Sequence, residues 1–201
     1  LDLEKILSSI RQRKTHNNIM RSGIGVGGYC LTKDPLFAKA SSQQVLQKKF
    51  DFPLSNIAVK VNQKMTFDVM SEIRDKFDKK IFGKKVLLIG VSYREDTNDT
   101  RYSPAKGVFN FFKKMNCKTS FYDPIVNYWD FNDCYSIEKK DLKNFDVYVY
   151  LIKHQSFKKL NIPYKKKSLI LDLNHVLERN KKLRISKSKN YISYFIGSKQ
   201  L

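Results

Sequence analysis

The segment Gly25-Val26-Gly27-Gly28-Tyr29-Cys30-Leu31-Thr32-Lys33-Asp34-Pro35 sets one thiol directly after a glycine-rich turn and directly before a helix start read at Asp34-Pro35. Glycine has no Cβ, so a ligand can approach this backbone closely. A helix opening at Pro35 would bring free N–H groups near the sulfur, and these favour negative charge. A thiolate is the nucleophilic form of cysteine, so the pattern suits covalent catalysis. It suits a buried, inert cysteine beside a helix cap about equally well. Asp34 has two roles open as well: helix N-cap, and base beside the thiol.

Two further stretches carry functional groups. Gly23-Ile24-Gly25-Val26-Gly27-Gly28 fits the spacing G-x-G-x-x-G, but it follows His16-Asn17-Asn18-Ile19-Met20, a poor strand, and it runs on into Tyr29-Cys30. A dinucleotide fingerprint needs a strand before it and a helix at once after it, so that reading is rejected. A loop that wraps a sugar or phosphate remains open, because exposed glycine N–H groups suit anions. Tyr93-Arg94-Glu95-Asp96-Thr97-Asn98-Asp99-Thr100-Arg101 is dense in charge and hydrogen-bonding groups, and is either a solvated turn with Ser103 as helix cap or a ligand loop. His16, His154 and His175 are far apart and read as ordinary loop or strand-end residues. Cys30, Cys117 and Cys134 form no CxxC pair and no zinc pattern, which predicts free thiols, no metal and a reducing, cytoplasmic compartment.

The elements that must position these groups divide near Gly83. Before it, helices are predicted from Pro35 to about Phe50 and, after Phe52-Pro53, along a stripe of Ile57, Val61, Met65, Val69 and Ile73. That stripe predicts a packing face against another domain or subunit. After Gly83 the pattern alternates. Strands are read at Lys85–Ile89, Lys118–Tyr122, Val147–Leu151, Ser168–Asp172 and Tyr191–Phe195, with a helix opened by Ser103-Pro104 and closing near Asn116. Lys181–Lys189 reads as a loop. Buried strands alternating with helices predict an α/β chain with a parallel sheet and right-handed crossovers. Ligands on such sheets lie at the carboxyl ends of the strands, which points to the loop Val91–Ser103.

The chain has 201 residues, is 41% hydrophobic and carries a net charge of +20, so a core of one or two domains is expected. Its lysines are scattered in short runs at element ends, which reads as solvated surface rather than a nucleic-acid face. No apolar run is long enough to span a membrane.

The cysteine segment Gly25–Pro35 and the stretch Val91-Ser92-Tyr93-Arg94 with Asp96-Thr97-Asn98-Asp99-Thr100-Arg101-Tyr102-Ser103-Pro104 resemble the UDP-glucose/GDP-mannose dehydrogenases, in the family's order and with a helical connector of suitable length. The resemblance implies that residues 1–83 are the end of a central helical dimerisation region. It implies that residues 84–201 are the C-terminal Rossmann-like domain that binds a UDP-sugar, the N-terminal NAD domain lying outside this chain. It implies an NAD-dependent 6-dehydrogenase that oxidises a sugar alcohol to an acid in two hydride transfers, working as a homodimer or higher homo-oligomer. Cys30 would be the nucleophile and Asp34 its partner for water and protons. Arg21, Gly23, Ile24, Gly25, Val26 and Gly27 would wrap the sugar and phosphate, Tyr93 and Arg94 would hold the nucleotide sugar, and Arg101 would reach NAD. Three positions depart from the pattern: Arg94 replaces a lysine, Tyr29 replaces Ser or His, and Asp172-Leu173-Asn174-His175 lacks a substrate arginine. A non-catalytic nucleotide-sugar or dimerisation module is the alternative, and a basic nucleic-acid-binding protein a distant third.

Overall fold

The computed structural model describes residues 3–20, 23–188 and 191–195. A short helix, α1 (Leu3–Ile10), and a 3-10 turn (Lys14–His16) lead into the glycine segment. Then come α2 (Tyr29–Lys33), a 3-10 turn (Asp34–Leu36), α3 (Phe37–Gln44) and the long α4 (Pro53–Ile81). The remainder is β1 (Lys85–Ile89), α5 (Ala105–Lys114), β2 (Lys118–Tyr122), a hairpin of β3 (Tyr128–Trp129) and β4 (Cys134–Tyr135), β5 (Val147–Tyr150), β6 (Leu169–Asp172), α6 (Arg179–Lys187) and β7 (Ile192–Phe195).

Five strands form one sheet in the order β2-β1-β5-β6-β7, and every pair is parallel. The α/β class with a parallel sheet expected from the strand pattern is the class observed, as is the Rossmann-like arrangement that the resemblance implied. Side chains alternate between the faces, as strand geometry requires. Val86, Leu88, Val147, Val149, Leu169 and Leu171 pack with Met70, Ile73, Val108 and Phe112 of the helices, and with Ile24 of the glycine segment. Leu87, Ile89, Tyr148, Tyr150 and Ile170 pack with Leu142, Phe157, Leu160, Ile162 and Ile185 on the other face. Because both faces are covered, the strands read as continuous apolar runs.

The chain leaves β1 toward β2 on one side and returns to β5 on the other. That reversal opens a crevice at the carboxyl ends of β1 and β5, where open α/β sheets take ligands. Gly90 ends β1 at φ 83°, and a Cβ there would lie 2.8 Å from the Ile152 Cβ. Glycine is needed for the two strand ends to come this close.

Two expectations are corrected, and the α4 stripe is located within the chain. The helix expected from Pro35 to about Phe50 begins as a 3-10 turn and ends at Gln44, because Gln47 adopts a left-handed φ of 51° that stops helical propagation. Of the stretch Lys181–Lys189, read as a loop, the part to Lys187 is helix: α6 runs through Lys187, anchored by buried Ile185. The stripe on α4 packs at its C-terminal end only. Ile73 is fully buried, whereas Ile57 and Val61 are 56% and 54% exposed. The face that meets the sheet is offset from the spacing of four, and α4 is kinked at Phe77. No described helix is long and apolar enough to cross a membrane.

Candidate functional site

Cys30 lies within α2, not before it: the helix opens at Tyr29, immediately after Gly28 at φ 86°. The thiol is exposed, whereas Cys117 and Cys134 are half-buried. The Asp34 N–H closes the last turn of α2 on the Cys30 carbonyl, which sets the two residues one turn apart. Asp34 is not a side-chain cap, correcting that expectation. Its carboxylate instead takes the Lys33 ammonium at 2.6 Å. That hydrogen bond holds the Lys33 amine above its ordinary value. The same ammonium sits over the rings of Tyr29, at 4.2 Å, and Phe37, at 4.3 Å.

The glycine segment is held by residues the sequence did not single out. The Asn62 amide on α4 brackets Val26, accepting its N–H at 2.7 Å and donating to its carbonyl at 2.8 Å. The Thr66 hydroxyl donates to the Ile24 carbonyl, and the Ile24 N–H donates to the Asn174 side chain at 3.0 Å. Asn174 also donates to the Leu151 carbonyl at the end of β5, so it ties the segment to the sheet. It stands within Asp172-Leu173-Asn174-His175, where the family arginine is missing. The N–H groups of Ile24, Val26 and Gly28 are thus taken by the protein, and of the glycine N–H groups expected to suit an anion that of Gly28 is engaged. Arg21 lies outside the described residues.

The loop after β1 closes onto this segment. The Gly28 N–H donates to the Arg101 carbonyl at 3.1 Å. Tyr93 is half-buried against Gly27 and Gly28; a Cβ on Gly27 would fall 2.8 Å from the Tyr93 Cβ, and one on Gly28 2.7 Å from its ring. The Tyr29 and Tyr102 rings lie 5.9 Å apart, and the Arg101 guanidinium stands 5.1 Å over Tyr29. Arg101 is also paired with Asp99 at 2.7 Å, which raises the guanidinium further and lowers the Asp99 carboxyl. Arg94 is exposed beside Tyr93. The structure therefore brings Gly23, Ile24, Gly25, Val26 and Gly27, Cys30, Asp34, Tyr93, Arg94 and Arg101 into two loops that touch.

A buried polar brace fixes the second loop. Asp123, after β2, accepts the N–H groups of Val91 at 2.8 Å and of Ile125 and Val126 at 3.0 Å. It also meets His154 Nε2 at 3.2 Å. Burial pushes this carboxyl up, but the bonds from His154, Val126 and Val91 outweigh it and hold the net value below the ordinary carboxylate range. The Asp96 N–H donates to His154 Nδ1 at 3.0 Å, and the Asp96 carboxylate accepts the Gln155 N–H. With Nδ1 accepting, the ring proton sits on Nε2 and points at Asp123. Ser92 Oγ donates to the Arg94 carbonyl at 2.7 Å, and Ser103 Oγ donates to the Ser92 carbonyl while accepting the Ala105 N–H at the entry to α5. His154 is more than an ordinary strand-end residue, as sequence reading had it: it braces the ligand loop. Asp123-Pro124 at a strand end was the available signal. Nothing in the spacing of His154 announced its partner.

Among the described residues no group of three or more His, Cys, Asp or Glu could hold a metal ion. The glycine segment does not fit a dinucleotide, since among the described residues no strand precedes it and the N–H groups of Ile24, Val26 and Gly28 are engaged. Arg101, exposed at the joint of the loops, is suited to a cofactor phosphate.

Residues 87–179 match the UDP binding domain of the UDP-glucose/GDP-mannose dehydrogenase family. A UDP-N-acetyl-D-mannosamine dehydrogenase of Methanococcus aeolicus is 30% identical over 172 residues, covering 81% of this chain and 37% of that protein. A UDP-glucose 6-dehydrogenase of Rickettsia prowazekii is 25% identical over 195 residues, covering 90% of this chain and 43% of that protein. The solved NDP-N-acetyl-D-galactosaminuronic acid dehydrogenase of Methanosarcina mazei superposes with a TM-score of 0.79 at 21% identity, over 100% of this chain and 45% of that one. The chain thus spans less than half the length of these proteins. The glycine–cysteine loop clasped to a Tyr93–Arg101 loop at the switch point of a parallel sheet, together with this match over the sheet, makes residues 87–179 similar to the UDP binding domain of the UDP-glucose/GDP-mannose dehydrogenase family, and the chain resembles a UDP-sugar dehydrogenase over 81% of its length.

Proposed function

We propose that the two touching loops bind a UDP-sugar and that this chain is the C-terminal part of an NAD-dependent nucleotide-sugar 6-dehydrogenase. The observation that carries this reading is the clasp itself, Gly28 to Arg101 and Tyr93 against Gly27-Gly28, which sets the loop bearing Arg94 and Arg101 against the glycine turn that leads into the exposed Cys30. Arg94 offers a fork suited to diphosphate oxygens, and Tyr93 a ring face for the nucleotide. The glycines admit the sugar close to the backbone.

Cys30 is the nucleophile in this reading. Its sulfur adds to the carbonyl carbon of the C6 aldehyde to form a thiohemiacetal, and after oxidation the resulting thioester is cleaved by water. NAD, when bound, accepts the hydrides. Asp34, one turn away and held by Lys33, receives a proton from the attacking water while Lys33 moderates the accumulated charge. Residues 1–83 contribute the cysteine loop and a dimerisation helix, and residues 84–201 the nucleotide-sugar domain. The exposed stripe Leu54, Ile57, Val61 is the surface assigned to a two-fold contact with a second copy.

Calorimetric titration with UDP-glucose and with UDP-N-acetylmannosamine tests the binding. Saturable binding of at least one, weakened tenfold or more in Arg94→Ala, is expected. Binding of neither, or binding indifferent to that substitution, contradicts the proposal. By their names the relatives act on UDP-N-acetyl-D-mannosamine and on UDP-glucose, and Asn174 stands where the resemblance places a substrate arginine.

A further inference from the structure

On the sheet face away from the glycine segment, a second cavity opens at the carboxyl ends of β5 and β6. Tyr150, Phe157, Leu160, Val176 and Leu177 form its apolar wall, and Lys153, Lys158 and Lys181 line it against one acid, Glu178. Its volume is about 40 Å³. A single water needs roughly 10–15 Å³, so the space suits about three water-sized atoms, the scale of a phosphate group. We propose that this cavity binds a phosphate-sized oxyanion, either free phosphate or the phosphate of a small monoester.

Two observations beyond volume point to an anion. Lys181 is half-buried, and its ammonium donates to the Leu160 carbonyl at 2.9 Å. Among the described residues no carboxylate pairs with it. The nearby buried Asp172 is already engaged by Lys182 at 3.0 Å and by the N–H groups of Val176 and Leu177. A cation withdrawn from water without a counter-charge destabilises the fold, and an oxyanion in the cavity offsets that cost. Burial lowers the Lys181 amine and Arg184 adds to the effect, and the unbonded Glu178 carboxylate opposes it only in part. Second, the hydroxyls of Tyr150 and Tyr164 share one hydrogen bond of 2.5 Å. Two hydroxyls carry two protons, and one bond uses one of them. Either hydroxyl can donate, and with Tyr164 as donor the fully buried Tyr150 keeps an O–H that an oxyanion in the cavity it lines would accept.

The cavity lies on the sheet face opposite Ile24 and does not rest on the UDP-sugar reading, although His154, which lines it, also braces the loop of Tyr93 and Arg94. The test is calorimetric titration of the full chain with inorganic phosphate and with methyl phosphate, in chloride of matched ionic strength. Saturable phosphate binding is expected, weakened at least tenfold by Lys181→Gln and by Tyr150→Phe, and unchanged in Arg94→Ala. The surface pair Lys139→Gln/Lys140→Gln should also leave it unchanged. Methyl phosphate binding as well as phosphate assigns the cavity to monoesters; phosphate alone assigns it to the free ion. Circular dichroism on each variant ensures that a loss is read only from folded protein. No saturable binding of either probe, or binding equal in wild type and in folded Lys181→Gln and Tyr150→Phe, overturns the proposal. Loss in Arg94→Ala with retention in Lys181→Gln also overturns it, by moving the anion to the UDP-sugar site.

Discussion

Cys30 and the other two cysteines differ in what surrounds the sulfur. Cys30 is exposed at the start of α2. Cys117 and Cys134 are raised by burial, and their thiols are engaged with the Ile81 carbonyl and the Asn132 side chain, each at 3.1 Å. Brief iodoacetamide treatment at pH 8 should therefore label Cys30 first, read by peptide mass spectrometry. Faster labelling of Cys117 or Cys134 would remove the basis for the site. Asp123 gives the second prediction at this scale. Its carboxyl is held below the ordinary 3.8, so it contributes stability above that value, and the contribution fades as pH falls through the lowered one. Asp123→Asn should cost about 2–3 kcal/mol in urea unfolding at pH 7, because His154 and three N–H groups lose their charged acceptor. The gap from wild type should narrow at pH 3. A constant gap between pH 7 and pH 3 would show that charge is not what Asp123 supplies.

At the scale of elements, α4 does two jobs on different faces. Asn62 and Thr66 hold the glycine segment, Met70 and Ile73 join the core, and Leu54, Ile57 and Val61 remain uncovered. Val61→Asp should leave the chain folded by circular dichroism and convert a dimer to a monomer in light scattering. An unfolded variant would mean that the stripe is internal packing after all; a wild-type chain monomeric at every accessible concentration would remove the two-fold contact. Asn62→Ala should cost about 1–2 kcal/mol, since two hydrogen bonds to Val26 are lost, measured by urea unfolding. The strands were legible in the sequence because burial on both faces leaves continuous apolar runs bounded by Gly90 and Asp123-Pro124. The helices were less so. A four-residue spacing marks an apolar stripe but not which body covers it. The end of α3 depends on a left-handed Gln47 that no residue type demands. Lys181–Lys189 hid a helix because a single buried apolar anchor, Ile185, lies among lysines. Within the site, Cys30, Tyr93 and Arg101 were legible from their motifs. Asn62, Asn174 and His154 were not, because what defines them is a partner distant in sequence.

At the scale of the whole molecule, two loops separated by more than sixty residues meet at one end of a five-stranded parallel sheet. α4 and Asn174 press one loop down, and Asp123 with His154 brace the other. In the proposed function, binding and covalent chemistry depend on the same joint, so a ligand held by Arg94 should cover the sulfur of Cys30. The most direct measurement is the rate of Cys30 alkylation by iodoacetamide with and without saturating UDP-sugar. The account predicts that the nucleotide sugar slows Cys30 alkylation at least tenfold while leaving Cys117 and Cys134 unaffected, and that Arg94→Ala requires correspondingly more ligand for the same protection. Unchanged alkylation of Cys30 at a ligand concentration that saturates binding would contradict it.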